Sequence, residues 1–273
     1  MTVANAPNIA IGDVLGSCVF NLAILVVVDF LYRGESVYTR ASQGHILAAG
    51  FGVVLLGFVG FNLLLPAEAP VIGHIGVYSP IIVLIYLLAM RIVYRYEQRQ
   101  IAEYVGDRAE RYPHITLRKA ALRYAAAAVV VVAMGLWLPH LGSEIAVTMG
   151  WGQSFVGTLL VAAATSVPEL VVTISAVRIG ALDMAVANLL GSNLFNLLII
   201  ALDDAFFMKG SLLAHVSPIH LATVLSAITM TGIAIVGLLY RPPGRLFKGV
   251  GWVSLFLFSV YLLNSYVVFI HGE

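Results

Sequence analysis

Charge is scarce in this sequence. Asp, Glu, Lys and Arg make up 11% of its 273 residues, where a soluble domain carries about 25%. That shortage argues against a water-soluble globular fold. Cysteine is nearly absent, and the lone Cys18 excludes an internal disulfide and any cysteine-based metal cluster. The seven histidines show no metal-ligand spacing. A net charge of +1 gives no pointer to nucleic acid, and none is expected as a partner. No P-loop, zinc spacing or nucleophile–base pairing is present, so an enzyme is not expected. Met1 to Pro7 lacks a basic segment, and no cleavable signal peptide is expected.

What the chain has instead is apolar length. It is 60% hydrophobic with a mean hydropathy of +0.96, and its apolar runs recur at lengths that cross a ~30 Å hydrocarbon core as helices. The expected fold is all-α and polytopic, since the alternating ten-residue pattern of a membrane barrel is missing. Eight spans are read at roughly 8–32, 45–65, 75–95, 119–138, 152–177, 183–203, 212–240 and 248–270. The longest polar stretch, Arg91 to Arg123, separates three spans from five. Fourteen of the fifteen Lys and Arg fall in the alternate connections 33–44, 91–123, 178–182 and 241–248. Those connections are expected to be cytoplasmic and both termini to lie outside.

One phrase occurs twice. Gly12-Asp-Val-Leu-Gly-Ser-Cys-Val-Phe-Asn-Leu22 is echoed 175 positions later by Ala187-Asn-Leu-Leu-Gly-Ser-Asn-Leu-Phe-Asn-Leu197. The two copies sit on helices of opposite direction, the pattern of transporters built from inverted repeats with the substrate site at the repeat interface. Just before the second copy stands Thr165-Ser-Val-Pro-Glu169. Pro168 lacks an N–H and frees carbonyls near Ala164, with those of Ala162 and Thr165 close by, and Glu169 lies near mid-span, where an ionisable side chain is read first as functional. Two hydroxyls, a carboxylate and freed carbonyls form an oxygen-only set suited to a hard cation. The alternative is a proline kink whose Glu faces a water-filled crevice or pairs with an Arg. Asn188, Ser192 and Asn196 share one helical face, and Asp13, Ser17 and Asn21 match them in the first copy. Their oxygens could complete a cation shell. Alternatively they bond across helices, with Gly16 and Gly191 marking close packing.

Taken together, TSVPEL, GSNLFN and the inverted partner GSCVFN resemble the alpha repeats of the calcium/cation antiporter superfamily, in its sodium/calcium exchanger-like branch. The resemblance implies two inverted sets of five helices around a central cation site. Glu169 is then the main acidic ligand, Ser166 and Thr165 ligate beside it, and Ala162 offers its main-chain carbonyl. Ser192 and Asn196 contribute from the next helix, Ser17 and Asn21 from the first repeat. It implies antiport by alternating access, with calcium exchanged for sodium or protons as substrates and no permanently bound cofactor.

Residues 1–95 are expected to form a shortened first repeat of three helices, 96–118 a cytoplasmic connection, and 119–273 a complete second repeat of five. The position 175 before Glu169 precedes Met1, so the first repeat's own T-S-x-P-E helix is expected to be absent. Hence the alternative: a non-transporting remnant, or a membrane subunit completed by a partner that supplies helices. A homo-oligomer stays open. The expected setting is a prokaryotic plasma membrane, with inorganic cations and lipid as partners. Asp13 is read as a helix-terminal carboxylate favoured by the dipole, with a cavity-facing position as the alternative. Asp203 and Asp204 are expected to be solvated, and Tyr78, Trp137, Trp151 and Trp252 to lie in interfacial belts.

Overall fold

The computed structural model describes residues 6–32, 36–64, 70–103, 116–242 and 251–272, with the side chains of 99–103 excepted. In chain order the long helices are α1 (Pro7–Leu31), α3 (His45–Leu63), α4 (Tyr78–Glu103), α5 (Leu117–Met149), α9 (Leu182–Phe206), α10 (His220–Tyr240) and α11 (Trp252–His271), with a short α2 (Val37–Arg40) after α1. Between α5 and α9 runs a broken helix: α6 (Gln153–Phe155), a π-helical segment (Val156–Val161), α7 (Ala162–Thr165) and α8 (Val167–Arg178). A two-residue hairpin, Val71–Ile72 with Ile75–Gly76, precedes α4. Among the described residues seven helices are long and apolar enough to cross a membrane, or up to eight when the broken helix is counted as one span. The chain is an all-α, multi-pass integral membrane protein. Within the described residues the last two spans start later than the sequence pattern suggests, because Leu212–His215 forms a separate 3₁₀ turn and α11 begins at Trp252.

Exposure sorts the helices. Fifteen positions of α1 are buried, including its entire centre. In α5, by contrast, only Gly142 and Ala146 are buried along 33 residues. Apolar side chains that would be a liability in water, such as Val129, Leu136, Phe256 and Phe269, are exposed around the periphery and suit lipid. Because lipid is as apolar as a leucine core, helices gain little by hiding apolar surface from it, and close contact at small residues carries more of the packing. The chain does this where α1 meets the broken helix. A Cβ on Gly16 would collide with the Thr158 carbonyl and the Ala162 side chain, and one on Gly157 would lie 2.7 Å from the Ile9 carbonyl oxygen. Gly191 has nothing within 4 Å, so the expectation of close packing holds for Gly16 and fails for its counterpart.

The helices are tied by buried side chains that obey the same 175-residue offset as the sequence phrase. Asp29 is fully buried. Its Oδ1 accepts from Ser36 Oγ at 3.2 Å and Val37 N at 3.0 Å, and its Oδ2 from Gly251 N at 2.9 Å and Ser254 Oγ at 2.8 Å. Asp204, also fully buried, repeats the arrangement. It accepts from Leu212 N at 2.7 Å, Tyr78 OH at 2.6 Å, Gly76 N at 2.8 Å and Ser79 Oγ at 2.5 Å. Gly76 and Ser79 in one half correspond to Gly251 and Ser254 in the other. Each aspartate therefore joins the loop after its own helix to the start of the last helix of the opposite half. A second pair does the same at the helix starts. Asn8 Oδ1 accepts from Ser217 N at 2.7 Å and lies 3.3 Å from His220 Nε2, while Asp183 Oδ1 accepts from Ser42 N at 2.7 Å and lies 3.0 Å from His45 Nε2. One expectation is corrected here. Asp204 is not solvated; it is fully buried and bonded to the buried Tyr78.

Cys18 and Asn193 are themselves equivalent positions, and they touch. Asn193 Nδ2 donates to the Cys18 carbonyl at 3.1 Å, and Cys18 Sγ lies 3.8 Å from the Asn193 carbonyl. When a residue contacts its own counterpart, the pseudo-two-fold axis passes between them. Both residues stand at the midpoint of their helices, which at 1.5 Å per residue is near the middle of the bilayer.

Two measurements follow from this packing. In detergent, Gly16→Ala is expected to cost about 1–3 kcal/mol by overpacking, seen as a lower unfolding midpoint, while Gly191→Ala leaves it unchanged or raises it. Asp29→Ala and Asp204→Ala each strand several buried donors and should each lower stability by about 3 kcal/mol. The exposed Asp183, replaced by Ala, should cost clearly less in the same assay.

Candidate cation-binding site

The broken helix is built by its sequence. Ser166 leaves the helical conformation with φ −90° and ψ 3°, and the axis turns by 42° between the two parts. Pro168 falls in the first turn of α8, where its missing N–H has no partner to lose. The proline thus starts a new helix rather than kinking an old one. Upstream, the π-helical turns of Val156–Val161 pack against α1, and such wide turns concentrate at functional sites.

Beside the break lies a cavity of about 130 Å³, lined by Asp13, Val14, Ser17, Thr165, Ser166, Glu169, Asn196 and Ile199. Five of the eight sequence-proposed residues meet there: Ser17, Thr165, Ser166, Glu169 and Asn196. Thr165 Oγ1 donates to Asp13 Oδ1 at 2.7 Å, its shortest contact and its only charged one, while the Val161 and Ala162 carbonyls stand 3.1 Å away. A hydroxyl has one proton to give. With that proton on Asp13, Thr165 Oγ1 is left to accept from Ser17 Oγ at 3.2 Å. Ser17 then keeps its lone pairs for the cavity. Among the described residues the carboxylate of Glu169 has no hydrogen bond and no ion pair. Asn188 braces the Glu169 backbone instead: its amide donates to the Glu169 main-chain carbonyl at 3.4 Å and to Thr173 Oγ1 at 3.2 Å, tying α9 to α8.

The other three proposed residues sit differently. The carbonyl of Ala162 accepts from Ser166 N at 3.1 Å, with Thr165 Oγ1 3.1 Å and Ser17 Oγ 3.5 Å away. Asn21 lies buried on the axis and donates to Asn193 Oδ1 at 3.0 Å, with its own Oδ1 unpartnered. Ser192, the counterpart of Ser17, lies across the axis and does not line the cavity. Asp13 corrects its primary sequence reading. It stands in the second turn of α1 facing the cavity, not capping the helix start. Its spacing of four from Ser17 was the available signal. Asn193 was missed as well, although its offset of 175 from Cys18 marks it as an axial residue. Asp203, expected to be solvated, is half-buried and lies close enough to Asp13 for their charges to interact.

Chemically the cavity presents two carboxylates, hydroxyls and an amide. Among the described residues no three His, Cys, Asp or Glu side chains converge, so the donor set is hard oxygen and not that of a transition-metal centre. A larger groove of about 620 Å³ near Ile46, Phe51, Val54 and Tyr96 is mostly apolar and holds none of these groups.

A sodium/calcium exchanger of Methanosarcina acetivorans, MaX1, is 33% identical over 123 residues, 45% of this chain and 31% of that protein. The match thus spans about a third of that relative's length. The inner membrane protein YrbG of Escherichia coli is 24% identical over 268 residues, covering 95% of this chain and 77% of its own. An uncharacterized membrane protein of Methanocaldococcus jannaschii is 21% identical over 268 residues, 95% of this chain and 78% of its own. A crystal structure of the H⁺/Ca²⁺ exchanger CAX superposes on 98% of this chain and 78% of its own, with a TM-score of 0.46 and 16% identity. The sodium/calcium exchanger protein family matches residues 119–267, more than half of the sequence. The chain belongs to the sodium/calcium exchanger protein family.

Proposed function

We propose that this chain is a secondary active cation antiporter that carries calcium against sodium or protons by alternating access. The observation that supports this reading most is the unpaired carboxylate of Glu169 beside a break at mid-membrane, facing hydroxyl and amide oxygens from α1, α7 and α9. An unpaired carboxylate in low dielectric is costly, and a cation in the cavity removes that cost. Calcium takes six to eight oxygens in flexible geometry. Ser17, Thr165, Ser166, Glu169 and Asn196 would contribute at the cavity, with Ala162 and Asn21 supplying acceptors behind it. Ser192 enters the shell only if the helices rearrange about the axis. In this reading residues 1–95 and 119–273 are the two repeats, joined by 96–118. The basic connections face the cytoplasm of a prokaryotic cell, and inorganic cations and lipid are the partners.

Vesicles containing the purified chain test it. An outward sodium gradient or a pH gradient should drive radioactive calcium uptake that collapses when the gradient is dissipated, and which gradient works identifies the counter-ion. Glu169→Gln should lower the initial rate by about a hundredfold; Ser17→Ala should lower it more than Ser192→Ala does. No uptake under either gradient by folded chain would favour the subunit that needs a partner. Uptake indifferent to Glu169→Gln would remove the site.

A further inference from the structure

We infer that Asp13 is a second carboxylate ligand of the cavity, giving it with Glu169 a formal charge of −2 that selects a divalent over a monovalent cation; this rests on reading the cavity as a cation site.

The two carboxylates come from different halves of the sequence, Asp13 from α1 and Glu169 from α8, and line the same small cavity. Among the described residues no Lys, Arg or His lines it. The one ion pair among the described residues, His45 with Asp183, lies elsewhere. Asp13 spends Oδ1 on Thr165 at 2.7 Å, with Ser17 Oγ at 3.5 Å, and among the described residues Oδ2 has no hydrogen bond. A second feature points to a ligand independently of the acids. Ser166 is 2% exposed and lines the cavity, and among the described residues its hydroxyl has no hydrogen-bond partner. Buried hydroxyls are ordinarily paired, so a partnerless one beside the unpaired Glu169 carboxylate and the free Oδ2 of Asp13 points to a ligand that takes all three. Two like charges lining one small cavity repel each other, the more so where partial burial weakens solvent screening. One sodium ion leaves a residual negative charge, whereas one calcium ion balances both, and charge balance weighs most where solvation is poorest.

The Thr165 contact makes the test clean. Asp13→Asn removes the charge but keeps an oxygen for the Thr165 hydroxyl, so a purely structural Asp13 would tolerate it. Calcium binding to the detergent-purified chain is measured by titration calorimetry, and sodium binding by its competition with radioactive calcium. Asp13→Asn is expected to weaken calcium binding about tenfold or more and sodium binding much less, with the calcium-free unfolding midpoint unchanged. Asp13→Glu should recover most of the calcium affinity. The inference is overturned if Asp13→Asn binds calcium like the parent while Glu169→Gln does not, a result that leaves the cavity reading intact. It is also overturned if Asp13→Asn lowers calcium and sodium affinity equally along with the unfolding midpoint and Asp13→Glu recovers nothing. A folded parent chain that binds neither ion overturns both this inference and the reading beneath it.

Discussion

Two buried aspartates, Asp29 and Asp204, hold this fold together. A carboxylate taken out of water needs donors, and inside a bilayer no solvent supplies them. Each aspartate ends the helix that carries it, where the dipole disfavours negative charge. Each is compensated by amides at the starts of other helical segments, where the dipole favours it: Val37 and Gly251 for Asp29, Leu212 and Gly76 for Asp204. Because one of those amides always belongs to the opposite half, neither half satisfies its own aspartate. The charge that would be a defect in a single repeat becomes the reason two repeats pack as one body.

That crossed arrangement fixes where the axis runs, and the axis fixes the site. Cys18 and Asn193 meet at mid-helix, so residues one position away on α1 and one turn away on α9, Ser17 and Asn196, come to the same depth. The break at Ser166 lies at the middle of its own span, and Asn188 fastens the start of α8 to α9. Close approach at Gly16 and Gly157 brings α1 against α7. The cavity is therefore set by packing around it: small residues determine how near the helices come, and the crossed caps determine how far along each other they slide.

The repeat does not make the site symmetric. Ser17 and Ser192 are equivalent in sequence, as are Asn21 and Asn196, yet one of each pair lines the cavity and the other does not. The reason is local. Asn21 is held by Asn193, which occupies the place of Cys18 in the second half and has an amide to offer where cysteine has a thiol. Gly16 is pressed against the broken helix while Gly191 stands open. A single substitution at the axis and a different neighbour are enough to give identical motifs different tasks.

Much of this was legible in the sequence. Apolar runs with almost no charge dictate membrane-spanning helices, since only helices and closed barrels satisfy the backbone in lipid and the alternation of a barrel is missing. The repeated GSxxFN phrase on helices of opposite direction gives the inverted repeat, and Thr165 to Glu169 gives the break and its acid. What tertiary structure alone decided was which polar residues meet. Asp13 and Asp204 read alike, as carboxylates near helix ends, but Asp13 turns into a cavity and Asp204 into a fourfold cap. A helix face can be read from spacing. The neighbour opposite that face comes from contacts between residues more than a hundred positions apart, and the local sequence does not encode it.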